Sequence, residues 1–334
     1  MSTEVSVIVA TYNRVQLLQR LLGQLEVQTL DPKRFEVVVC DDGGKQNAQE
    51  ALKDFKTGYR LVPLRQANAG PAAARHRAIE NATGRVLVIV DDDMQVQPTF
   101  LEEHLKMHPV GARRAVLGRL APDSQISQMP YFEKWYAAGH QRTAQRARAG
   151  NLKLDGYAFY TGNVSLLRED YLNVGGFDFS LRIGEDTDLG LRLEKSGVEL
   201  SYTPEAVAFH GSDHTSEEKW LQKARAYGVN FYKIGKKHFD LPHAQPLRYL
   251  FELNPLARPL AAGSLLAPEA TQALSDAARQ LTKKLWEHGF DKVASPATSV
   301  LYTMEFMRGV RSQTGSLSDT AKAIWDHWLE RIRP

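Results

Sequence analysis

VSVIVATYNR (residues 5–14), EVVVCDDGG (36–44) and VLVIVDDD (86–93) share one form: a short apolar, β-branched run that ends abruptly in polar residues. With Arg60–Leu64 there are four such runs, the others being Val5–Ala10, Glu36–Cys40 and Val86–Val90. Apolar residues that do not alternate with polar ones mark strands buried on both faces, the condition of a parallel sheet lying between helices. The intervening segments have helical spacing. Leu18, Leu21, Leu22 and Leu25 form one stripe across Val15–Leu25. Pro71 opens a second pattern, where a first helical turn tolerates proline, and Gly84 closes it beyond Ala82. Strand alternating with helix predicts an α/β fold.

Beyond Asp93 the rhythm loosens. Residues 120–160 hold Pro122, Pro130 and many polar residues around Trp135 and Tyr136, which predicts an irregular, mobile segment. A helix is expected from about Glu185 to Ser196, stopped by Gly197. Thr215 and Glu218 have capping-box spacing and predict another helix start. From about residue 241 the pattern is helical, interrupted by Pro255, Pro259 and Pro268. The predicted organisation is a domain over 1–240, with halves 1–118 and 119–240, and a helical C-terminal region over 241–334.

The 334 residues are 43% hydrophobic and 24% charged, enough to bury a core without disulfides or structural metal. A lone cysteine, Cys40, has no partner in the chain and suits a reducing compartment. A net charge of +3 gives no reason to expect nucleic acid as a partner. Local basic clusters at Arg142, Arg146 and Arg148, and at Lys233, Lys236 and Lys237, read either as solvated faces or as contacts with a diphosphate or an anionic membrane surface. No stretch approaches the ~18 apolar residues of a membrane span. The first fourteen residues lack both a basic region before the apolar run and a small-residue cleavage site. The expected location is cytoplasmic, either free or peripheral at the inner face of the membrane. The Asn-x-Ser/Thr matches at Asn81 and Asn163 then read as coincidence.

In open α/β sheets ligands bind at the carboxyl ends of the strands. Three runs end there in Thr11-Tyr12-Asn13, Asp41-Asp42-Gly43-Gly44 and Asp91-Asp92-Asp93. Carboxylates converging beside an aromatic ring suit a nucleoside and a metal-bound diphosphate. VSVIVATYNR, EVVVCDDGG and NAGPAAARHRAIENATGRVLVIVDDD (68–93), in that order, resemble the nucleotide-binding half of family 2 glycosyltransferases with a GT-A fold. GNVSLLREDYLNVGGFDFSLRIGEDTDLGLRLEKSG (162–197) resembles the acceptor half of the same family. The resemblance covers roughly residues 4–240. It implies a GT-A nucleotide-binding sheet flanked by helices, with the helical region as an appendage.

Asp91-Asp92-Asp93 resembles the family's DxD metal motif, with Asp91 and Asp93 as the spaced pair. The implied cofactor is a divalent metal, Mn2+ or Mg2+, which prefers carboxylate and phosphate oxygens. The resemblance puts Asp93 directly on the metal and Asp92 toward the donor sugar or ribose; a turn or helix cap is the plainer alternative. Asp42 resembles the carboxylate that reads uracil, and Thr11, Tyr12 and Asn13 the residues around the nucleoside, with Tyr12 as a stacking face. Arg75 faces a pyrophosphate, orients an aspartate or forms a surface ion pair. Where the family usually has DDGS, Gly44 stands in place of the serine, which removes a hydroxyl but keeps the turn. His210, after the run Ala206–Phe209, resembles a histidine that completes the metal shell, with His214 as alternate; a histidine merely satisfied at a strand end is the other reading.

Glu185-Asp186 resembles the acceptor-side acidic pair, with Asp186 as the catalytic base. Glu185, Asp186 and Asp188 also favour a helix start through its dipole. Gly176, Phe177 and Trp135 complete the expected acceptor site with Glu185. The implied reaction is inverting transfer of a sugar from a nucleotide-sugar donor, with UDP as the default nucleotide and GDP and dTDP as alternatives, to a hydroxyl of a glycan or lipid-linked acceptor. Three rivals are weaker. A nicotinamide oxidoreductase is disfavoured because no G-x-G-x-x-G follows any strand. A nucleotidyltransferase needs a Gly-rich phosphate loop that Ala10-Thr11-Tyr12-Asn13 does not supply, and an inactive sugar-binding homologue has no need of both acidic clusters. Apolar density at Leu247–Leu253 and Val300–Met307 gives the C-terminal region an expected role in acceptor access, membrane contact or homo-oligomer formation.

Overall fold

The computed structural model describes residues 3–211 and 215–332. They fall into two compact units, Met1–Ser127 with Ala137–Asp213, and Gln128–Tyr136 with His214–Pro334. The division therefore lies near residue 213, earlier than the expected 240, because Glu217–Lys237 packs with the helices that follow it.

The first unit is built on eight strands: β1 (Val5–Thr11), β2 (Phe35–Asp41), β3 (Arg60–Arg65), β4 (Val86–Val90), β5 (Met94–Val96), β6 (Arg114–Pro122), β7 (Asn163–Leu167) and β8 (Glu199–His210). They lie in the order β3-β2-β1-β4-β7-β6-β8-β5. β3, β2, β1 and β4 are parallel, as the four apolar runs predict. β7 then runs antiparallel to both β4 and β6, and β5 antiparallel to β8, so the sheet is mixed rather than parallel throughout.

Alternate residues of β1 explain the unbroken apolar runs. Val5, Val7 and Val9 join one core cluster with Leu18, Leu21, Leu22 and Leu25 of the Val15–Glu26 helix. Ile8 joins the other, with Ala74, Ala78 and Ile79 of the Pro71–Glu80 helix and Leu189 and Leu193 of the Glu185–Lys195 helix. Those four leucines are fully buried, and truncating any one to alanine costs about 2–5 kcal/mol. Two buried polar residues inside this unit, His104 and Asn163, are paired with each other. His104 bonds Ser165 and Asn163 at 2.8 Å each, and Asn163 also donates to the carbonyl of Ala206. Asn163 is fully buried, so its sequon match is coincidental.

Two local expectations are corrected. Within the supposedly irregular 120–160 stretch, Tyr131–Arg148 is an 18-residue helix. Pro130 does not break it but heads it, its carbonyl accepting from the amides of Glu133 and Lys134. The cap of Glu217–Lys237 is Ser216, whose side chain accepts from the Lys219 amide at 3.3 Å, rather than Thr215.

The second unit is helical, as expected, with Glu217–Lys237, Arg248–Glu252, Arg258–Leu266, Gln272–Glu287, Asp291–Arg311 and Leu317–Ile332. Gly228 and Gly309 let two of these helices meet backbone to backbone, since a Cβ at Gly228 would strike the carbonyl of Phe306 and one at Gly309 that of Arg225. Among the described residues no helix is long and apolar enough to cross a membrane.

Candidate functional site

Register brings the polar ends of the strands together. Thr11 pairs with Asp41 across β1 and β2, Asp91 follows the last residue of β4, and Met94, directly after Asp93, pairs with His210. His210 thereby lies opposite Met94, the residue that follows the three aspartates.

The aspartates differ in their surroundings. Asp91 is 34% exposed and accepts from Arg75 at 2.6 Å. Asp92 is buried and accepts from the Thr11 hydroxyl at 2.7 Å, so Thr11 holds an aspartate rather than framing a base. Burial pushes the Asp92 carboxyl up to about 6, against that hydrogen bond and the nearby Arg14. Asp93 accepts from Arg14 at 2.7 Å through Oδ2, while Arg20 binds its backbone carbonyl at 2.8 Å. The other oxygen, Oδ1, is buried and has no hydrogen-bond partner among the described residues.

Asp42 departs from its expected role. Oδ1 accepts from the Gln66 amide and the Ala69 N–H, and Oδ2 from the Asn68 amide and the Gly70 N–H, at 2.8–3.1 Å. A carboxylate has about four lone-pair positions, and all are taken. Asp42 thus shapes the 66–70 loop and has no lone pair to spare for a base N–H. Tyr12 is 50% exposed and keeps its ring face available. Asn13 turns the chain with φ of 57° and accepts from the Gln46 amide at 3.1 Å. This explains Gly44, where a serine Cβ would lie 2.5 Å from Asn13 Oδ1.

The acceptor-side pair opens the Glu185–Lys195 helix after Gly184, which takes the left-handed conformation at φ of 82°. Glu185 Oε1 is 3.6 Å from Arg75 Nη1, so one buried guanidinium faces both Asp91 and Glu185. Burial, then the charge of Asp186, pushes Glu185 up to about 7. Asp186 is half-buried and its carboxyl is raised by burial, although Oδ1 accepts from the Thr187 amide at 2.8 Å. Asp188 is different: fully buried, it pairs with Arg192 at 2.8 Å, and Arg192 also binds the carbonyl of Val174.

Other expected acceptor residues separate. Phe177 is 4% exposed and packs edge-on against Tyr171 in the core, so it offers no face to an acceptor. Gly176 has a structural reason: a Cβ there would lie 2.9 Å from both His76 Nδ1 and the Tyr171 hydroxyl. Trp135 belongs to the helical unit, where it packs on Trp220 and Tyr302 and donates to Ser299 at 3.0 Å. His214 lies outside the described residues. Sequence reasoning passed over Arg14 and Arg20 as site residues; the place of Arg14 just past the end of β1, beside Tyr12 and Asn13, was the available signal.

A mixed GT-A sheet with carboxylates on its carboxyl edge defines the class as that of the nucleotide-sugar glycosyltransferase fold. The family model described as glycosyl transferase family 2 matches residues 6–175, just over half of the chain. The chain belongs to that family. A second model, described as the N-terminal domain of galactosyltransferase, matches residues 142–214. Validoxylamine A glucosyltransferase of Streptomyces hygroscopicus subsp. limoneus is 29% identical over 240 residues, covering 64% of this chain and 52% of that protein. The uncharacterized glycosyltransferase YfnE of Bacillus subtilis is 27% identical over 267 residues, covering 66% of this chain and 68% of its own. The solved mannosyltransferase PcManGT from Pyrobaculum calidifontis, in complex with GDP-Man and Mn2+, shares the fold at a TM-score of 0.62 and 19% identity, covering 90% of this chain and 86% of its own. The chain spans about half the length of the first of these curated relatives.

Proposed function

We propose that the chain is a metal-dependent, inverting glycosyltransferase that moves a hexosyl group from a nucleotide-sugar donor to a hydroxyl of a glycan or lipid-linked acceptor. One observation carries this reading: the Arg75 guanidinium faces Asp91 on the donor edge and Glu185 on the acceptor side, so both halves of a transfer site converge on one cation. UDP is the nucleotide implied by the family resemblance.

The residues fit a divalent cation held jointly with the donor. Among the described residues no group of three His, Cys, Asp or Glu side chains is gathered to hold a metal unaided. Mg2+ and similar ions typically use one or two carboxylates plus substrate phosphates, and Asp93 Oδ1 is a buried oxygen with no hydrogen-bond partner among the described residues. Asp93 and Asp91 would hold the ion, with His210, opposite Met94, as the further ligand that the family resemblance implies. Bound there, such an ion would supply positive charge to the departing diphosphate. Asp186 takes the acceptor proton as the new C–O bond forms. Attack opposite the leaving group inverts the anomeric carbon. Arg75 orients Asp91 and restrains Glu185, while Tyr12 stacks on the base. In the helical region the stretches Leu247–Leu253 and Val300–Met307, expected to serve such contacts, instead bury Leu250, Leu301, Met304, Phe306 and Met307, while Leu274 and Leu281 share an exposed helix face and Phe290 and Val293 are exposed shortly after it. These residues support a role in contact with a lipid-linked acceptor at a cytoplasmic membrane surface.

The test is donor hydrolysis across a panel of nucleotide sugars, with Mn2+, with Mg2+ and with chelator. Metal-dependent release of nucleoside diphosphate from a member of the panel is the expected result; metal-independent turnover contradicts the reading.

A further inference from the structure

Three carboxylates, Asp91, Asp92 and Asp93, face two guanidiniums, Arg75 and Arg14. The two arginines are not equivalent. Arg75 is 9% exposed in its side chain and is tied to Asp91 and Glu185, within reach of no other aspartate of the triplet by ion pairing. Arg14 is 35% exposed, and its Nη1 lies 2.7 Å from Asp93 Oδ2 and 3.4 Å from Asp92 Oδ1. Arg20 fixes the backbone of Asp93 independently, through the carbonyl at 2.8 Å. Asp93 can therefore exchange its side-chain partner without losing its place.

Resting on the reading that Asp93 binds the cation, we infer that Arg14 is a counter-ion latch on that aspartate and couples metal binding to donor binding. With no donor present, the guanidinium neutralises Asp93, and a divalent cation arriving alone meets a carboxylate already paired with positive charge. A nucleoside diphosphate changes the balance. Its oxygens ligate the cation and also offer the guanidinium a new bidentate partner, an arrangement that arginine favours. Arg14 then leaves Asp93 for the diphosphate, and metal and donor enter as a pair. By linkage, whatever Arg14 adds to the effect of nucleotide on metal it adds equally to the effect of metal on nucleotide. Arg14 is thus a positioning residue for the cation site.

The experiment measures Mn2+ binding to the full chain by the electron paramagnetic resonance of free Mn2+, with and without UDP, for wild type, Arg14→Gln, Arg14→Lys and Asp93→Asn. Removing the latch is expected to tighten binding of Mn2+ alone by roughly three- to tenfold, the scale of a partly buried ion pair. The same change should abolish most of the enhancement that UDP confers. Arg14→Lys keeps the charge and should stay near wild type for Mn2+ alone. A role confined to holding the loop predicts weaker Mn2+ binding in Arg14→Gln both with and without UDP, and that result overturns the inference. Unchanged Mn2+ affinity in Arg14→Gln, with binding still lost in Asp93→Asn, overturns the latch and leaves the site reading standing. Unchanged Mn2+ binding in Asp93→Asn removes the site reading and the latch with it.

Discussion

The donor edge and the acceptor-side helix start both concentrate carboxylates, but the protein treats them differently. On the donor edge Asp91 and Asp93 each sit within 2.7 Å of an arginine. On the acceptor side Asp186 has a backbone amide for its carboxylate, and Glu185 has a guanidinium at 3.6 Å. Arginine pairing balances the charge of Asp91 and Asp93 until donor and cation together supply replacement partners. Under-compensated buried carboxylates hold protons more tightly and are suited to accepting one near neutral pH. Charge compensation, more than the count of acidic residues, separates the two roles.

The largest effect expected from breaking this contrast is at Asp186. Asp186→Asn preserves shape and removes the proton acceptor, so kcat should fall roughly 10²–10⁴-fold. Donor-nucleotide affinity, measured by calorimetry, should hold. A kcat within a few-fold of wild type moves the base elsewhere.

Asp188 sharpens the comparison from the same helix. Its carboxylate is fully buried and paired with Arg192, which also anchors the Val174 carbonyl. Replacing it is therefore a stability change. Asp188→Asn should lower the unfolding free energy by roughly 3 kcal/mol, since a broken buried pair leaves a charge uncompensated. Denaturant melts read this directly; an unchanged midpoint means the pair is not structural.

The smallest effect is in pH. Glu185, raised to about 7, sits above the ordinary unfolded value near 4.5, so the folded chain binds more protons between those limits. Stability from this group is complete below the unfolded value and declines as pH rises through about 7. Transfer has the opposite slope, because an ionised acceptor-side pair is required. Thermal midpoints falling from pH 5 to 8 while kcat rises over the same range is the expected pattern. Parallel slopes contradict it.

The four parallel strands were legible because burial on both faces leaves unbroken apolar runs, and the acidic edges because charged residues stop those runs. β5 through β8 were harder to read. Their pairing is long-range: β7 opposes β4 at Ile89 and Val164, far apart in sequence. Tyr131–Arg148 was obscured by Pro130, since proline can head a helix as well as end one. Side-chain partners were least legible. Nothing in the spacing says that Asp42 spends every lone pair on residues 66–70, or that Phe177 turns into the core. Only Gly44 gave a hint, as a departure from the family pattern that makes room for Asn13.

The central claim is that the two carboxylate groups divide the labour of one transfer reaction, with Asp93 serving the cation and donor. The direct measurement is UDP affinity in Mn2+ and in chelator for wild type, Asp93→Asn and Asp186→Asn. The account predicts that Asp93→Asn loses at least about tenfold in Mn2+ and little in chelator, the scale of one lost charged ligand, while Asp186→Asn matches wild type in both. Equal metal-dependent affinity in Asp93→Asn and wild type, or loss of UDP binding in Asp186→Asn, contradicts it.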